Sequence, residues 1–274
     1  MRKRIDRTPN SQGRDLIGRL VKGLQSLGMT AIAGVWTPNG FVLGADGLTK
    51  NEHGQTICEH TQKIFFASKV PDYNLAYAWC GNTALNLPNG WFDFFETSAD
   101  VVRYLASQTI TGPADRFIRA FSVLVHDHLV VRLGGMMIPT QKFQLRDDLI
   151  ACLSFMGFVD GTPIAKQVFF LHDKYQLESP RICDPEGLKP GLPLVISGPS
   201  SVLDRPRLSL VRDLQDGIRA VQNCIQECID APRKKNDPEY GGRIHIAIVT
   251  LDKTDWAEPP IGKTWQEQRE TLGD

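Results

Sequence analysis

The order of elements along the chain predicts an α+β fold in which two sheets carry helices on their outer sides. Strand-like runs come first, followed by two helical runs, further strands, a long helix and a last strand. Such segregated runs argue against the regular strand–helix alternation of a parallel sheet. The length of 274 residues and the hydrophobic content of 42% are those of an ordinary globular protein with a substantial core.

Strands are predicted wherever short apolar runs are bounded by turn residues. The predicted strands are 30–36, 41–45, 63–66, 75–79, 149–159, 165–171, 194–197 and 243–251. The residues Thr-Pro-Asn-Gly at 37–40 and Asp-Gly-Thr-Pro at 160–163 predict tight turns. The first two strands, and the central pair, therefore read as hairpins.

Three helices are predicted in the body of the chain, where apolar residues recur at helical spacing. Ser98 is the predicted N-cap of the first helix, and Pro113 opens the second. The third runs from about 208 to 229 with a buried apolar stripe. Cys224 and Cys228 lie on that stripe, where core packing is favoured over metal binding.

The N-terminal segment differs chemically from the rest of the chain. Residues 1–28 carry seven basic and two acidic side chains, although the whole chain has a net charge of zero. Residues 14–27 have the pattern of a short basic amphipathic helix. It could pack on a neighbour, serve as a pro-segment or targeting peptide, or reflect a start codon assigned too early. We therefore predict a leader at 1–29, one domain at 30–252 and a tail at 253–274.

The composition bounds the class of partner and the compartment. Zero net charge argues against a nucleic-acid partner bound through bulk charge. The six cysteines have no framework spacing, so reduced thiols in the cytoplasm are expected. No apolar run reaches the roughly 18 residues of a transmembrane helix. No phosphate loop, metal site or cofactor site is predicted.

Thr30, Asp46 and Lys63 form the most informative pattern of the sequence. Asp46 follows Thr30 by 16 residues at the end of a hairpin strand, Lys63 opens a strand, and Gly81 ends one. Taken singly, these are an ordinary strand residue, a turn former, a solvated lysine and a bulge or turn glycine. As an ordered set they resemble the catalytic core of proteasome-type β subunits, and that of the peptidase in the bacterial two-part ATP-dependent protease.

This resemblance implies a four-layer αββα sandwich of the N-terminal-nucleophile (Ntn) hydrolase type and a threonine-type endopeptidase. It implies that Thr30 is the nucleophile and that its own α-amine, with an unperturbed pKa of about 8, is the general base. Lys63 would favour the ionised hydroxyl through its charge, and Asp46 would hold Lys63. The N–H group of Gly81 would face the oxyanion.

The chain departs from the family pattern at two supporting positions. Where the family places a serine after the central sheet, the best match is Pro199, although Ser197 or Ser200 could substitute with a shifted register. In the segment before the last strand, Asp237 matches the pattern, but Tyr240 replaces a serine. Both departures bear on the efficiency of the reaction more than on its class.

Thr30 must carry a free amine, and it is preceded by Met29, where self-processing members commonly have glycine. Either the Met29–Thr30 bond is cleaved by the Thr30 hydroxyl, or translation starts at Met29 and the initiator methionine is removed. The predicted function is proteolysis of unfolded polypeptides or peptides in a homo-oligomeric ring, with an unidentified ATPase as a possible partner. The alternatives are a non-catalytic structural subunit of a similar assembly and an Ntn amidase acting on small amides.

Overall fold

The structure is a computed structural model. It describes residues 30–50, 55–68, 72–81, 84–87, 90–108, 110, 113, 115–133, 149–173, 176–185, 187–203, 210–231 and 240–260. The predicted leader at 1–29, Asp237 and the tail residues 261–274 lie outside this part of the chain. No helix in the described ranges is both long enough and apolar enough to cross a membrane.

Fifteen strands and four helices make up the described part of the chain. The strands are β1 (Ile32–Thr37), β2 (Gly40–Asp46), β3 (Thr49–Lys50), β4 (Thr56–Cys58), β5 (Ile64–Phe66), β6 (Tyr73–Gly81), β7 (Ala84–Leu87), β8 (Gly90–Asp93), β9 (Leu149–Val159), β10 (Thr162–Asp173), β11 (Gln176–Leu177), β12 (Arg181–Cys183), β13 (Leu194–Ser197), β14 (Ile244–Val249) and β15 (Thr254–Glu258). The helices are α1 (Phe94–Ala106), α2 (Arg116–Leu133), α3 (Ser200–Leu203) and α4 (Leu214–Asp230).

Two antiparallel sheets form the centre of the molecule. The first has the strand order β13-β1-β2-β14-β15, and the second has the order β11-β10-β9-β6-β5, with β12 also pairing with β10. The strands β3–β4 and β7–β8 form separate two-stranded hairpins. The sheets face each other through a cluster that includes Phe41, Leu43, Ala76 and Met156.

Helices cover both outer faces of the sheet pair. Helices α1 and α2 pack on the second sheet, where Tyr77 and Trp79 of β6 point toward them. Helix α4 packs on the first sheet against β1, β2, β13 and β14. Strand β6 thus places large aromatic residues toward the helices and the small Ala76 and Ala78 toward the other sheet. The predicted four-layer αββα sandwich is confirmed.

The structure corrects three details of the predicted elements. Helix α1 begins earlier than predicted, because its N-cap is Asp93, whose Oδ1 accepts from the N–H groups of Phe95 and Glu96. Ser98 is instead inside the helix and donates its hydroxyl to the carbonyl of Phe94. Helix α4 begins at Leu214 rather than near 208, after the N-cap Asp213.

The third correction concerns strands that the sequence pattern did not reveal. The hairpin β7–β8 was not predicted, and β15 lies in the segment predicted as a tail. Strand β15 pairs antiparallel with β14 from Val249↔Thr254 to Ile246↔Glu258, and so forms the edge of the first sheet. Phe66 packs on Trp256 with ring centroids 4.8 Å apart, which attaches this edge to the second sheet.

Candidate active site

Asp46 is the centre of a hydrogen-bond network at one end of the first sheet. The residue ends β2 and is fully buried. Its Oδ1 accepts from the backbone N–H of Ala31 at 2.9 Å and from Lys63 Nζ at 3.2 Å. Its Oδ2 accepts from the backbone N–H of Gly241 at 3.0 Å. One carboxylate therefore holds three segments that are distant in sequence.

Lys63 reaches Asp46 from the second sheet. It immediately precedes β5, only 1% of the residue is exposed, and Nζ also donates to the carbonyl of Leu48 at 2.5 Å. Burial lowers the pKa of Lys63, against the opposing effect of the Asp46 charge. Burial likewise raises the pKa of Asp46, opposed by Lys63 and by the N–H groups of Gly241 and Ala31. Lys63 therefore holds its proton less firmly than a solvated lysine does.

Thr30 lies directly beside this ion pair. It precedes β1, and the next residue, Ala31, donates its N–H to Asp46. The carbonyl of Thr30 accepts from Ser197 Oγ at 2.8 Å. Ser197 ends β13 and lies opposite Ile32 in the first sheet. The peptide unit that joins Thr30 to Ala31 is thus fixed at both its carbonyl and its N–H by hydrogen bonds to buried groups.

Gly81 ends β6 at the same end of the sandwich. It has a positive φ of +92°, and a Cβ atom placed on it would lie 3.1 Å from Ala151 Cα and from the carbonyl oxygen of Ile150. A side chain is therefore opposed both by the backbone conformation and by the neighbouring strand. The adjacent Cys80 packs in the cluster between the sheets with Ala45, Ile64 and Ile196, and it lies near enough to Lys63 for their charges to interact. This end of β6 is therefore next to the network around Asp46.

We expect Gly81→Ala to destabilise the fold by about 1–3 kcal/mol, because a strained φ is combined with a contact to fixed backbone. Gly161→Ala is the matched control: Gly161 has a φ of +71°, but its added Cβ would meet nothing within 4 Å. Urea unfolding of both variants separates the two effects. Equal losses would show that only the backbone conformation matters at Gly81.

The other predicted site residues are placed as follows. Tyr240 is buried in the cluster between the first sheet and α4, while its neighbour Gly241 supplies the N–H group that binds Asp46. Ser200 begins the short helix α3, directly after Pro199. Asp237 falls outside the described residues. The network thus joins Asp46 and Lys63 with the backbone of 30–31 and with Ser197.

Sequence reasoning missed three residues in or beside this network. Gly241 binds through its backbone, which leaves no mark in a sequence. Cys80 belongs to no motif that distinguishes it from the other five cysteines of the sequence. His245 belongs to β14, whose first residue Ile244 lies opposite Asp46. Alternation along β14 could have shown that His245 points toward the space between the sheets.

His245 is a fully buried imidazole, and neither ring nitrogen has a hydrogen-bond partner within the described residues. Its pKa is lowered to about 4, first by burial and then by the positive charges of Arg243, Lys63 and His60. His245 is therefore uncharged at neutral pH. Its neutral ring adds no positive charge that would repel the ammonium group of Lys63.

We expect this histidine to make folding less favourable as the pH falls from 6.5 to 4. The unfolded chain binds the proton near pH 6.5 and the folded protein only near pH 4, so the unfolded state holds more protons between those values. The stability lost over this range is up to about 3 kcal/mol. Urea unfolding of wild type and His245→Phe from pH 4 to 7 measures it as the difference between the two proteins. Parallel pH profiles would contradict the prediction.

The described residues contain no group of three or more histidine, cysteine, aspartate or glutamate side chains that could hold a metal ion. Cys224 and Cys228 pack in the cluster beneath α4, which confirms the prediction that they belong to the core. The chemistry available here is that of a buried ion pair, a threonine, hydroxyl and thiol groups, and backbone N–H donors.

Comparison with known proteins bears on the fold. No protein-family model matches the chain, and no curated protein matches it. A Gly-1 mutant of Anbu from Hyphomicrobium sp. strain MC1 aligns with a TM-score of 0.55 and 13% identity, covering 89% of this chain and 93% of its own. The Anbu complex of Pseudomonas aeruginosa, solved as a helical assembly, aligns with a TM-score of 0.55 and 11% identity over 88% and 92%. This chain has the fold of these Anbu structures, a sandwich of two antiparallel sheets between helices.

Proposed function

We propose that this chain is a threonine-type peptidase whose nucleophile is Thr30 as the first residue of the mature protein. The observation that carries the proposal is the buried pair of Lys63 and Asp46 bonded to the backbone N–H of Ala31. A buried ion pair contributes little net stability compared with apolar residues of similar volume, so its position beside a threonine calls for a chemical reason.

The reaction follows from the groups that surround Thr30. Its α-amine takes the proton of its hydroxyl, and Oγ attacks the carbonyl carbon of the substrate. Lys63 favours the ionised oxygen through its charge, and Asp46 fixes the position of Lys63. The N–H group of Gly81 stabilises the oxyanion. The α-ammonium then protonates the leaving amine, and water releases the acyl group from Oγ.

The proposal requires the bond between Met29 and Thr30 to be absent from the active protein. An amide nitrogen has no basic lone pair, so Thr30 acquires its base only when this bond is cleaved or when Met29 is removed as an initiator. Ser197 positions the nucleophile in this reaction, because its hydroxyl donates a hydrogen bond from the neighbouring strand to the carbonyl of Thr30.

We further propose that copies of this chain assemble into a ring or a related oligomer in the cytoplasm and degrade unfolded polypeptides or peptides. The helical assembly of the Anbu complex supports oligomerisation on this fold. Enclosing the sites would restrict cleavage to chains that can enter in an unfolded state. An ATPase partner that delivers them is part of the same proposal.

The deciding experiment combines intact mass with covalent labelling. Protein purified from its native host is measured by mass spectrometry and is then treated with a peptide epoxyketone or a β-lactone. The expected result is a chain that begins at Thr30 and carries the adduct on that residue. A chain that retains Met29 and resists both reagents would overturn the proposal.

A second candidate function is that of a non-catalytic subunit on the same fold. Pro199 at the position of the family's serine, and Tyr240 buried beneath α4, favour it. Hydrolysis of fluorogenic peptides by the mature chain separates the two candidates. Parallel assays on small acyl amides test whether the site acts as an amidase instead.

A further inference from the structure

Two thiols lie opposite each other at the edge of the candidate active site. Cys80 of β6 and Cys152 of β9 are register partners in the second sheet, one position before the pair Gly81↔Ala151. Directly opposed residues of antiparallel strands have Cα atoms about 4.5–5.5 Å apart. This range lies within the roughly 4.4–6.8 Å that disulfides span. Both side chains belong to the cluster between the two sheets.

The thiol of Cys80 lies beside both its partner and the network around Thr30. Its sulfur lies close enough to Cys152 and Ser197 for both side chains to lower its pKa, and close enough to Lys63 for their charges to interact. Ser197 in turn donates to the carbonyl of Thr30. A continuous set of contacts therefore runs from Cys152 through Cys80 and Ser197 to the proposed nucleophile.

The two thiols have opposite acid–base character. The hydrogen bond from Cys152 lowers the pKa of Cys80, and Ser197 and the positive charge of Lys63 act in the same direction. Burial raises the pKa of Cys152 well above its ordinary value. Cys80 therefore becomes a thiolate first, while Cys152 stays protonated beside it. An attacking thiolate with a neighbouring resolving thiol is one feature of thiols that are oxidised reversibly, and access to the oxidant is the other. Cys80 is only 2% exposed, so a peroxide must reach it through the active site.

We propose that Cys80 and Cys152 are a redox modification site, oxidised by a peroxide to a reversible disulfide that disables the neighbouring active site. The proposal rests on the proposed function in one respect. A path that brings a substrate carbonyl to the N–H group of Gly81 also admits a molecule as small as hydrogen peroxide to the adjacent Cys80.

The oxidation proceeds in two balanced steps. The Cys80 thiolate attacks one oxygen of hydrogen peroxide, the O–O bond breaks, and the released hydroxide takes a proton to leave as water, giving a sulfenic acid on Cys80. The sulfur of Cys152 then attacks the sulfur of Cys80, and its proton leaves with the displaced hydroxide as a second water. Two thiols are oxidised and one peroxide is reduced. A dithiol such as dithiothreitol reverses the change by exchange.

The disulfide changes the active site through two contacts. A disulfide sulfur carries no negative charge, so Lys63 loses the interaction with the Cys80 thiolate. Forming the disulfide also removes the polar contact between the Cys80 thiol and Ser197. Both changes occur at Cys80, which directly precedes Gly81, and one of them involves Ser197, whose hydroxyl holds the carbonyl of Thr30. We expect hydrolysis to fall at least tenfold in the oxidised protein and to recover with dithiothreitol.

Mass spectrometry of the folded full chain tests the proposal. The mature protein is treated with hydrogen peroxide, alkylated and digested with trypsin without reduction. Cys80 is the only cysteine of tryptic peptide 70–103, and Cys152 is the only one of peptide 147–166. The expected product is these two peptides linked, with a mass two hydrogens below their sum, and separated again by dithiothreitol.

Two variants sharpen the result. Cys152→Ser removes the resolving thiol, so peroxide should carry Cys80 to the sulfinic acid and cause a loss of hydrolysis that dithiothreitol does not reverse. Cys224→Ala, which removes a buried thiol of helix α4 outside the candidate site, is the matched control and should behave as wild type.

Three outcomes would overturn the proposal: no linked peptide from the folded protein, linkage of Cys152 to Cys183 instead, or full hydrolysis by the linked protein. If the reduced protein hydrolyses nothing, the proposed function fails. The linked peptide still shows whether the disulfide forms in that case, because its detection does not depend on hydrolysis. Failure of the proposed function and failure of the redox proposal are therefore distinguishable.

Discussion

Replacement Thr30→Ala is expected to lower peptide hydrolysis by at least about a thousandfold, because a catalytic nucleophile and its base act as a unit that fails when either is removed. The substitution deletes Oγ but keeps the α-amine, the bond from Ser197 to the carbonyl of residue 30, and the N–H of Ala31 on Asp46. The fold should therefore persist. Steady-state hydrolysis of fluorogenic peptides, with kcat and KM separated, gives the loss.

Thr30→Ser is the matched control for this prediction. Serine keeps the β-hydroxyl of threonine and lacks only its methyl group, so we expect hydrolysis well above that of the alanine variant. Each variant must start at residue 30, which intact mass verifies before any rate is compared. If the alanine variant hydrolyses peptides as fast as wild type, the nucleophile lies elsewhere.

Replacement Lys63→Met is expected to destabilise the fold by about 3–5 kcal/mol as well as abolish hydrolysis, since it leaves the Asp46 carboxylate buried without its counter-charge. Lys63 and Asp46 are 1% and 0% exposed, so water cannot replace the lost ammonium without opening the sheets. Methionine keeps most of the apolar volume of the lysine stem, which confines the change to the charge. Urea unfolding at neutral pH measures the effect.

Lys166→Met is the matched control, because Lys166 also pairs with an aspartate, at 2.6 Å from Asp184. The side chain of Asp184 is 78% exposed, and such surface pairs contribute at most about 1 kcal/mol. The double variant Lys63→Met with Asp46→Asn should regain part of the stability by removing the unpaired charge. Equal losses for Lys63→Met and Lys166→Met would contradict the role of burial.

The layers of the fold could be predicted from the sequence because each layer has a local signal. Turn residues at 37–40 and 160–163 mark the two central hairpins, and apolar spacing marks α1, α2 and α4. The N-cap at Asp93 was missed because Asp93 also ends β8, so a residue with two structural roles shows only one pattern. Strand β15 has an irregular burial pattern and a polar sequence, which resembles a loop until β14 is there to pair with it.

The candidate site could be predicted only where it depends on side chains with a characteristic spacing. Thr30, Asp46 and Lys63 stand out in this way, and the structure brings the last two into contact beside the first. Gly241 contributes a backbone N–H, and the pairing of Cys80 with Cys152 depends on which strands are neighbours and in what register. Neither kind of information is local in the sequence, so both required the three-dimensional arrangement.

The hydrogen bonds of Asp46 span very different distances along the chain. Its partners lie 15, 17 and 195 residues away, at Ala31, Lys63 and Gly241. The last of these joins the network only after β14 has taken its place beside β2, and contacts between distant segments form late because a long loop must close first. A partly synthesised or partly folded chain therefore lacks the complete network, so under the proposed function newly made molecules would not digest one another before they fold.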